Sequence, residues 1–366
     1  MLLRRKPCRQ EGKDFFFEKK KQKTFAILGG AWGSTAPKSQ KFFGSFFQKR
    51  TAFFLLCFAA ALPTGAHAVL PPVADTDQPL WRATHGLLLG IAYAGDRVVA
   101  VGNAGVVLLS DDDGQSWRIA NTPSDELLTS VIFPTPKEGW AVGQDLLVLH
   151  SVDAGETWTQ QHFTAGSDQV LFTVVSFSPG HLLATGSYNS VVETHDGASW
   201  QDSKIANLDD DYHLNCAAAR GDDVMVTGEA GHAFVRYAGA WSAMKMDYEG
   251  SQFACLLGAD GNFYSFGLRG SAFRAQPGAA AWTRIDLGDQ QSIFGAARMA
   301  DGRIALVGAN GGVKLLDPAS GKVTHLPQVS EHTLSAVVEG RHHQLIAVGD
   351  DGVHQIDTAA VVGAAP

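Results

Sequence analysis

The chain is poor in the residues and motifs that ordinarily carry chemistry. Its 366 residues include only four cysteines, five methionines and six tyrosines. No glycine-rich loop opens a helix in the way a phosphate cradle requires, because the glycines follow short strands instead. No Gly-x-Ser-x-Gly nucleophile turn is present, and no cysteine has a histidine in a convincing context. His342 and His343 are adjacent, so on a strand their rings point to opposite faces and cannot share a metal ion. The apolar stretch Thr51 to Leu62 falls short of the about 18 residues that a spanning helix needs.

That stretch reads instead as the core of a secretory signal. Gln48-Lys49-Arg50 precedes it, and Ala66-His67-Ala68 follows with a small-x-small cleavage pattern. We read residues 1–47 as a disordered or mis-started leader, 48–68 as the signal peptide and 69–366 as the folded unit. The first 68 residues hold 13 Lys+Arg and 3 Asp+Glu, so the totals of 29 and 37 leave 16 basic and 34 acidic residues, a formal net of −18. Such a surface repels nucleic acid and anionic lipid headgroups. The expectation is a periplasmic or secreted monomer, with no nucleic-acid partner and no stable membrane insertion after signal removal. Cys216 and Cys255 each lie 12 residues before a repeat glycine. A disulfide requires Cα atoms within about 7 Å, and inner strands of adjacent blades normally stand farther apart, so two buried free thiols are expected.

What the chain does have is a beat. Gly102, Gly143, Gly186, Gly228, Gly267, Gly308 and Gly349 each end a short strand, at steps of 39 to 43 residues. Trp117, Trp158, Trp200, Trp241 and Trp282 keep the same spacing. In the second repeat, four short strands are separated by turn residues around Pro134 to Gly139, Gln144-Asp145 and Asp153 to Gly155. A period near forty with four strands per period specifies an all-β, seven-bladed β-propeller. The seventh repeat stops after its third strand, whereas Trp81 precedes the first repeat without a blade of its own. We therefore expect residues 79–84 to close blade seven as an N-terminal strand, leaving no exposed edge.

Ser110, Asp112, Gly114 and Trp117, and again Ser151, Asp153, Gly155 and Trp158, fit Ser-x-Asp-x-Gly-x-(Ser/Thr)-Trp. This pattern resembles the Asp-box, or BNR repeat, of sialidases and other propellers; Thr194 to Trp200 is a shortened third copy. The chemistry of such a turn is structural: Asp accepts backbone amides, Gly takes an otherwise strained conformation and Trp packs between blades. The run Asp111 to Asp113 is read as a solvated turn rather than a cation site. Together with Glu138-Gly139-Trp140-Ala141-Val142-Gly143, the order of elements is similar to the photosystem II stability/assembly factor family. That resemblance implies a non-enzymatic, cofactor-free propeller that assists assembly of membrane complexes. Photosynthetic members carry an arginine-rich patch, while Arg269 alone is expected here on the second-to-third-strand turns; the implied partner is thus another envelope complex.

On the usual ligand face, the second-to-third-strand turns place Asp145, Tyr188, Asn189, Glu229, Arg269, Asn310 and Asp350. The links between blades add His85, Glu126, Gln169, Asp211, Tyr212, His213 and His332. Together they form the expected partner-binding face. The competing reading is an Asp-box glycoside hydrolase or carbohydrate binder, in which Glu126, Glu229 and Asp211 would share one cavity as paired carboxylates. Arg97, Arg118, Arg220, Arg284, Arg298 and Arg303 are expected on opposite-face turns or outer strands, leaving no arginine cluster for a substrate carboxylate.

Overall fold

A computed structural model describes residues 78–205, 211–244 and 246–358. The leader, the signal segment, Asp209 and Asp210 lie outside the described residues. Blade one is formed by β1 (Leu88–Ala94), β2 (Arg97–Gly102), β3 (Val107–Ser110) and β4 (Arg118–Ile119). Blade two follows with β5 (Leu128–Ile132), β6 (Gly139–Gly143), β7 (Val148–Ser151) and β8 (Thr159–His162). Blade three has β9 (Leu171–Ser178), β10 (His181–Gly186), β11 (Val191–Thr194) and β12 (Gln201–Asp202). Blade four has β13 (Cys216–Arg220), β14 (Asp223–Thr227), β15 (Ala233–Tyr237) and β16 (Ala240–Ala243). Blade five comprises β17 (Gln252–Leu257), β18 (Phe263–Gly267), β19 (Ala272–Ala275) and β20 (Thr283–Arg284). Blade six comprises β21 (Ile293–Arg298), β22 (Ile304–Gly308), β23 (Val313–Leu316) and β24 (Val323–His325), and blade seven β25 (Leu334–Glu339), β26 (Leu345–Gly349) and β27 (Gly352–Ile356). Strand order is sequential and antiparallel within every blade. The first strand of each blade packs on the first strand of the next, and β25 packs on β1, which closes the ring.

Second strands are nearly continuous apolar runs, such as Arg97-Val98-Val99-Ala100-Val101 and Ile304-Ala305-Leu306-Val307. Both faces of each are covered by neighbouring blades, so every residue of β6, β18, β22 and β26 is buried. The glycine closing each second strand is extended rather than left-handed, with Gly102 at φ −174° and Gly186 at φ −164°. Its role is close approach: a Cβ on Gly186 would lie 1.9 Å from the Val170 carbonyl oxygen, and one on Gly102 would lie 2.1 Å from that of Leu87.

Two expectations fail. Blade seven keeps three strands, and residues Gln78–Thr84 form a helix, α1, instead of a fourth strand. Pro79 stands in the first turn, where its missing N–H costs nothing, and Leu80, Arg82 and Ala83 are good helix formers. Leu80 and Ala83 face the core shared by blades one and seven with Leu88, Val98, Leu108, Ile346 and Val348. Trp81 does not enter that core; it is 62% exposed and stacks on His85 with ring centroids 4.7 Å apart.

The second failure concerns the thiols: Cys216 and Cys255 are joined in a disulfide across blades four and five, with Cα atoms 5.9 Å apart. Equal distance from the blade glycine is not equal register. Cys216 pairs with Thr227, one residue before its glycine, whereas Cys255 pairs with Ser265, two before its own. A bulge between Gln252 and Ala254 shifts the register of β17, whereas the β13–β14 pairing has none, and the two inner strands run close enough at the cysteines for the bond to form.

Candidate partner-binding face

The turns after the second strands are one device used repeatedly. Ala104, Tyr188, Ala230, Arg269 and Asn310 all occupy the left-handed region at φ 51–55°, and Asp145 joins them at φ 56°. The next residue is also left-handed, and in four of these six turns it is glycine. A Cβ on Gly231 would lie 1.8 Å from the Tyr248 carbonyl oxygen, and one on Gly105 would lie 1.9 Å from that of Ser124. Each turn is thus pressed against the link arriving from its own fourth strand. Blade seven departs from the pattern, with Asp350 and Asp351 before Gly352 at φ 98°.

These turns and links gather the expected residues into separate groups rather than one ring. Tyr188, Tyr212, His213 and Glu229 meet where blades three and four join. The Tyr188 amide donates to His213 Nδ1 at 3.1 Å, and the rings stand edge to face at 4.8 Å. The His213 amide donates to Glu229 Oε2 at 3.1 Å. Tyr212 stacks on His232 with centroids 4.0 Å apart, and Phe172 packs edge-on against His213. The Asn189 amide donates to the Tyr212 carbonyl at 2.8 Å. At blade two, Glu126 faces Asp145, and burial together with the Asp145 and Asp125 carboxylates pushes its carboxyl above the ordinary value. Asp145 is held by the Gly166 amide at 2.9 Å, and the Gln169 carbonyl accepts from the Leu146 amide.

Asp350 and His332 form a third group. Burial raises the Asp350 carboxyl, against the Thr333 hydrogen bond and the His332 ring, both of which favour the charged form. His85 belongs to none of these, being stacked on Trp81. His85, His213 and His332 therefore sit in three different surroundings, and Glu126 has Asp145 as its charged neighbour rather than Asp211 or Glu229.

Arg269 opens a fourth group. A surface cavity of about 760 Å³ is lined by Arg269, Gly270, Tyr248, Arg284, Ile285, Asp286, Asp289 and Gln290. Arg284, placed on an outer strand by its position in β20, still reaches the same cavity, so Arg269 is not the lone cation of this face. Both side chains are exposed. Asp289 is engaged elsewhere: its Oδ2 lies 3.3 Å from Lys314 Nζ, an almost fully buried ammonium that also donates to Gln291 Oε1 at 3.0 Å. The cavity keeps a net cationic wall as a result. Asn310 lies in the next turn along, on blade six. Arg284 was expected away from this face and reaches it from β20, whereas Tyr248 escaped the sequence reading because it occupies no repeat position; its signal is only that it flanks a turn.

The Ser-x-Asp-x-Gly turns occupy the third-to-fourth-strand connections. Asp112 Oδ1 accepts from Ser110 Oγ and from the Ser116 amide, each at 2.8 Å. These bonds, from Ser116 above all, lower its carboxyl pKa to about 2. Asp153 repeats the arrangement with Ser151 and Thr157 at 2.9 Å. Trp117 and Trp158 donate their indole N–H to the Gly114 and Gly155 carbonyls. Gly114 and Gly155 are left-handed at φ 85° and 84° and abut Ile346 and Leu109 of the preceding blade. Asp111 to Asp113 is neither a uniformly solvated turn nor a cation cluster. Asp111 pairs with Arg97 at 2.5 Å, while Asp113 is buried. Asp113 accepts from Tyr93, from the Arg341 amide at 2.9 Å and from Gln344 Nε2 at 2.6 Å, joining blade one to blade seven.

Among known proteins, the chain is 25% identical over 249 residues to the chloroplastic photosystem II stability/assembly factor HCF136 of Arabidopsis thaliana, covering 63% of this chain and 54% of that one. It is 26% identical to the rice (Oryza sativa subsp. japonica) counterpart, over 70% of this chain and 62% of that one. The photosystem II assembly lipoprotein Ycf48 of Synechococcus sp. is 32% identical over 28% of this chain and 32% of its own length. The chain thus spans little more than half the length of the plant relatives. Among solved structures, YCF48 bound to a D1 peptide superposes with a TM-score of 0.61 at 16% identity, over 75% of this chain and 94% of that one. A streptogramin B lyase superposes comparably, at 0.64 and 11%, over 75% and 94%; these likenesses show a shared fold. A family model described as photosynthesis system II assembly factor YCF48 matches residues 115–336, well over half of the chain. The chain belongs to that family.

Proposed function

We propose that this protein is a non-enzymatic, exported propeller that binds an extended segment of a membrane-complex subunit and supports assembly or stability of that complex. The observation that carries the reading is the cavity of about 760 Å³ between Arg269 and Arg284, on the face built by the left-handed turns. Rigid turns hold its wall, two exposed guanidiniums offer forked donors for carboxylates or carbonyl oxygens, and Tyr248 supplies an amphipathic edge. The aromatic corner of Tyr188, Tyr212 and His213 extends the same face across blades three and four. The relative solved with a D1 peptide supports a peptide segment as the ligand class. Export is supported by the Cys216–Cys255 disulfide, which suits an oxidising compartment, and by the apolar segment ahead of Ala66-His67-Ala68. A cell-envelope complex is the partner that this location implies. Against a glycoside hydrolase stands the separation of Glu126 from Asp211 and Glu229.

Affinity capture with the tagged mature protein from its native membranes tests this. A reproducible membrane-protein partner, lost with Arg269→Glu/Arg284→Glu, is expected. Turnover of a fluorogenic glycoside without any partner would overturn the reading.

A further inference from the structure

Blade three carries a group of side chains that neither the repeat nor the partner-binding face explains. In the β10–β11 pair, Leu182 is opposite Thr194 and Leu183 opposite Glu193. One further step along the register sets His181 opposite His195. Side chains two apart on a strand share a face, so His181, Glu193 and His195 project together. Their donor atoms lie within 4.8 Å of one another. His181 Nε2 is 2.7 Å from Glu193 Oε1, His195 Nε2 is 4.0 Å from the same oxygen, and the two rings are 4.2 Å apart.

The surroundings are those of an oriented ligand set. Ser203 donates to Glu193 Oε2 at 2.8 Å, which fixes the carboxylate and turns Oε1 toward both imidazoles. Phe177 packs on the His181 ring with centroids 4.0 Å apart and shields it from water on that side. His181 and Glu193 are mostly buried and stand on strands, while His195, on the adjoining turn, is 65% exposed and free to adjust. Tetrahedral coordination at 2.0–2.1 Å separates ligand atoms by about 3.3 Å. The His181–Glu193 pair at 2.7 Å lies inside that spacing and the His195–Glu193 pair at 4.0 Å outside it, so a slight opening of the first and an approach of His195 would complete the set.

We propose that His181, Glu193 and His195 form a binding site for a borderline divalent transition metal of the Zn²⁺ class, tying the β9–β10 and β11–β12 hairpins together. Two imidazoles and one carboxylate select such ions over Mg²⁺ and Ca²⁺, which prefer all-oxygen sets. His181 follows the first-to-second-strand hairpin and His195 lies in the Thr194 to Trp200 turn. Both are on the side opposite the left-handed turns, so the site is independent of partner binding.

The test is calorimetric titration of Zn²⁺ into the untagged, chelator-treated mature protein, repeated with His195→Ala, Glu193→Gln and Ser203→Ala. One Zn²⁺ per chain is expected, with a rise in melting temperature on loading and no comparable response to Mg²⁺. His195→Ala and Glu193→Gln should each abolish the tight site, and Ser203→Ala should weaken it by about tenfold or more. His195 is exposed, so its variant should melt like the wild type without metal, which separates lost binding from lost folding. Absence of stoichiometric binding, or binding unchanged in both His195→Ala and Glu193→Gln, would overturn the proposal.

Discussion

At the scale of single residues, Asp113 is the side chain on which closure of the ring leans most. Its burial would by itself raise the carboxyl pKa, but hydrogen bonds from Tyr93, Gln344 and the Arg341 amide hold it below the ordinary value. Removing it leaves the donors of two blades unpaired. Asp113→Ala should therefore cost about 2–4 kcal/mol in denaturant unfolding. Because the folded-state pKa is depressed, this stabilisation is complete above the unfolded carboxylate pKa and is lost as pH falls through the folded value. Wild-type stability should thus drop with acid below about pH 4, with a smaller drop in the variant. Gly186 is a second such position. Gly186→Ala sets a Cβ 1.9 Å from a backbone oxygen that cannot rotate away, and a clear fall in melting temperature is expected. The glycine's regularity was legible in the sequence because close approach recurs in every blade. Asp113 was not, since two of its partners, Arg341 and Gln344, are more than 220 residues away and its own turn offers a local reason for every aspartate.

At the scale of elements, α1 shows how a correct topological demand can produce a wrong local structure. Blade seven needs cover along β27, and the segment near Trp81 supplies it. Yet Pro79, Leu80, Arg82 and Ala83 favour helix, and a helix packed through Leu80 and Ala83 shields that region without ladder hydrogen bonds. Ala83→Glu, which sets a charge into the core beneath α1, should destabilise strongly, whereas Trp81→Ala should change the melting temperature little; equal effects would contradict the assigned packing. The disulfide makes the same point about register. Counting from the glycines placed Cys216 and Cys255 at one level, but their ladder positions differ, with a bulge between Gln252 and Ala254, and the separation of the inner strands at the cysteines, 5.9 Å between Cα atoms, is not written in the period. The cross-link closes a loop with a sequence separation of 39 residues, worth about 2–4 kcal/mol in the chain-entropy model, so reduction under non-denaturing conditions should lower the melting temperature by several degrees.

At the scale of the whole molecule, seven blades in a ring present two unlike sides. One carries the Ser-x-Asp-x-Gly turns, each packed on the blade before it. The other carries the left-handed turns, where sequence varies while backbone geometry stays constant: Tyr188, Arg269 and Asn310 occupy equivalent positions with nearly identical φ. The architecture was readable because it is written seven times. The site was only partly readable, because it lies where the repeat gives way to irregular links such as Tyr248 and Asp286 to Gln290, whose positions follow from folding and not from the period. The central claim, that the left-handed-turn face engages a membrane-protein segment, is most directly tested by site-specific photo-crosslinking in native membranes. A crosslinker at Arg269 or Tyr188 should capture one common partner, and a crosslinker at Gln115 or Glu156, on the opposite side, should capture none. Capture of that partner from Gln115 or Glu156 and not from Arg269 or Tyr188 would contradict the account.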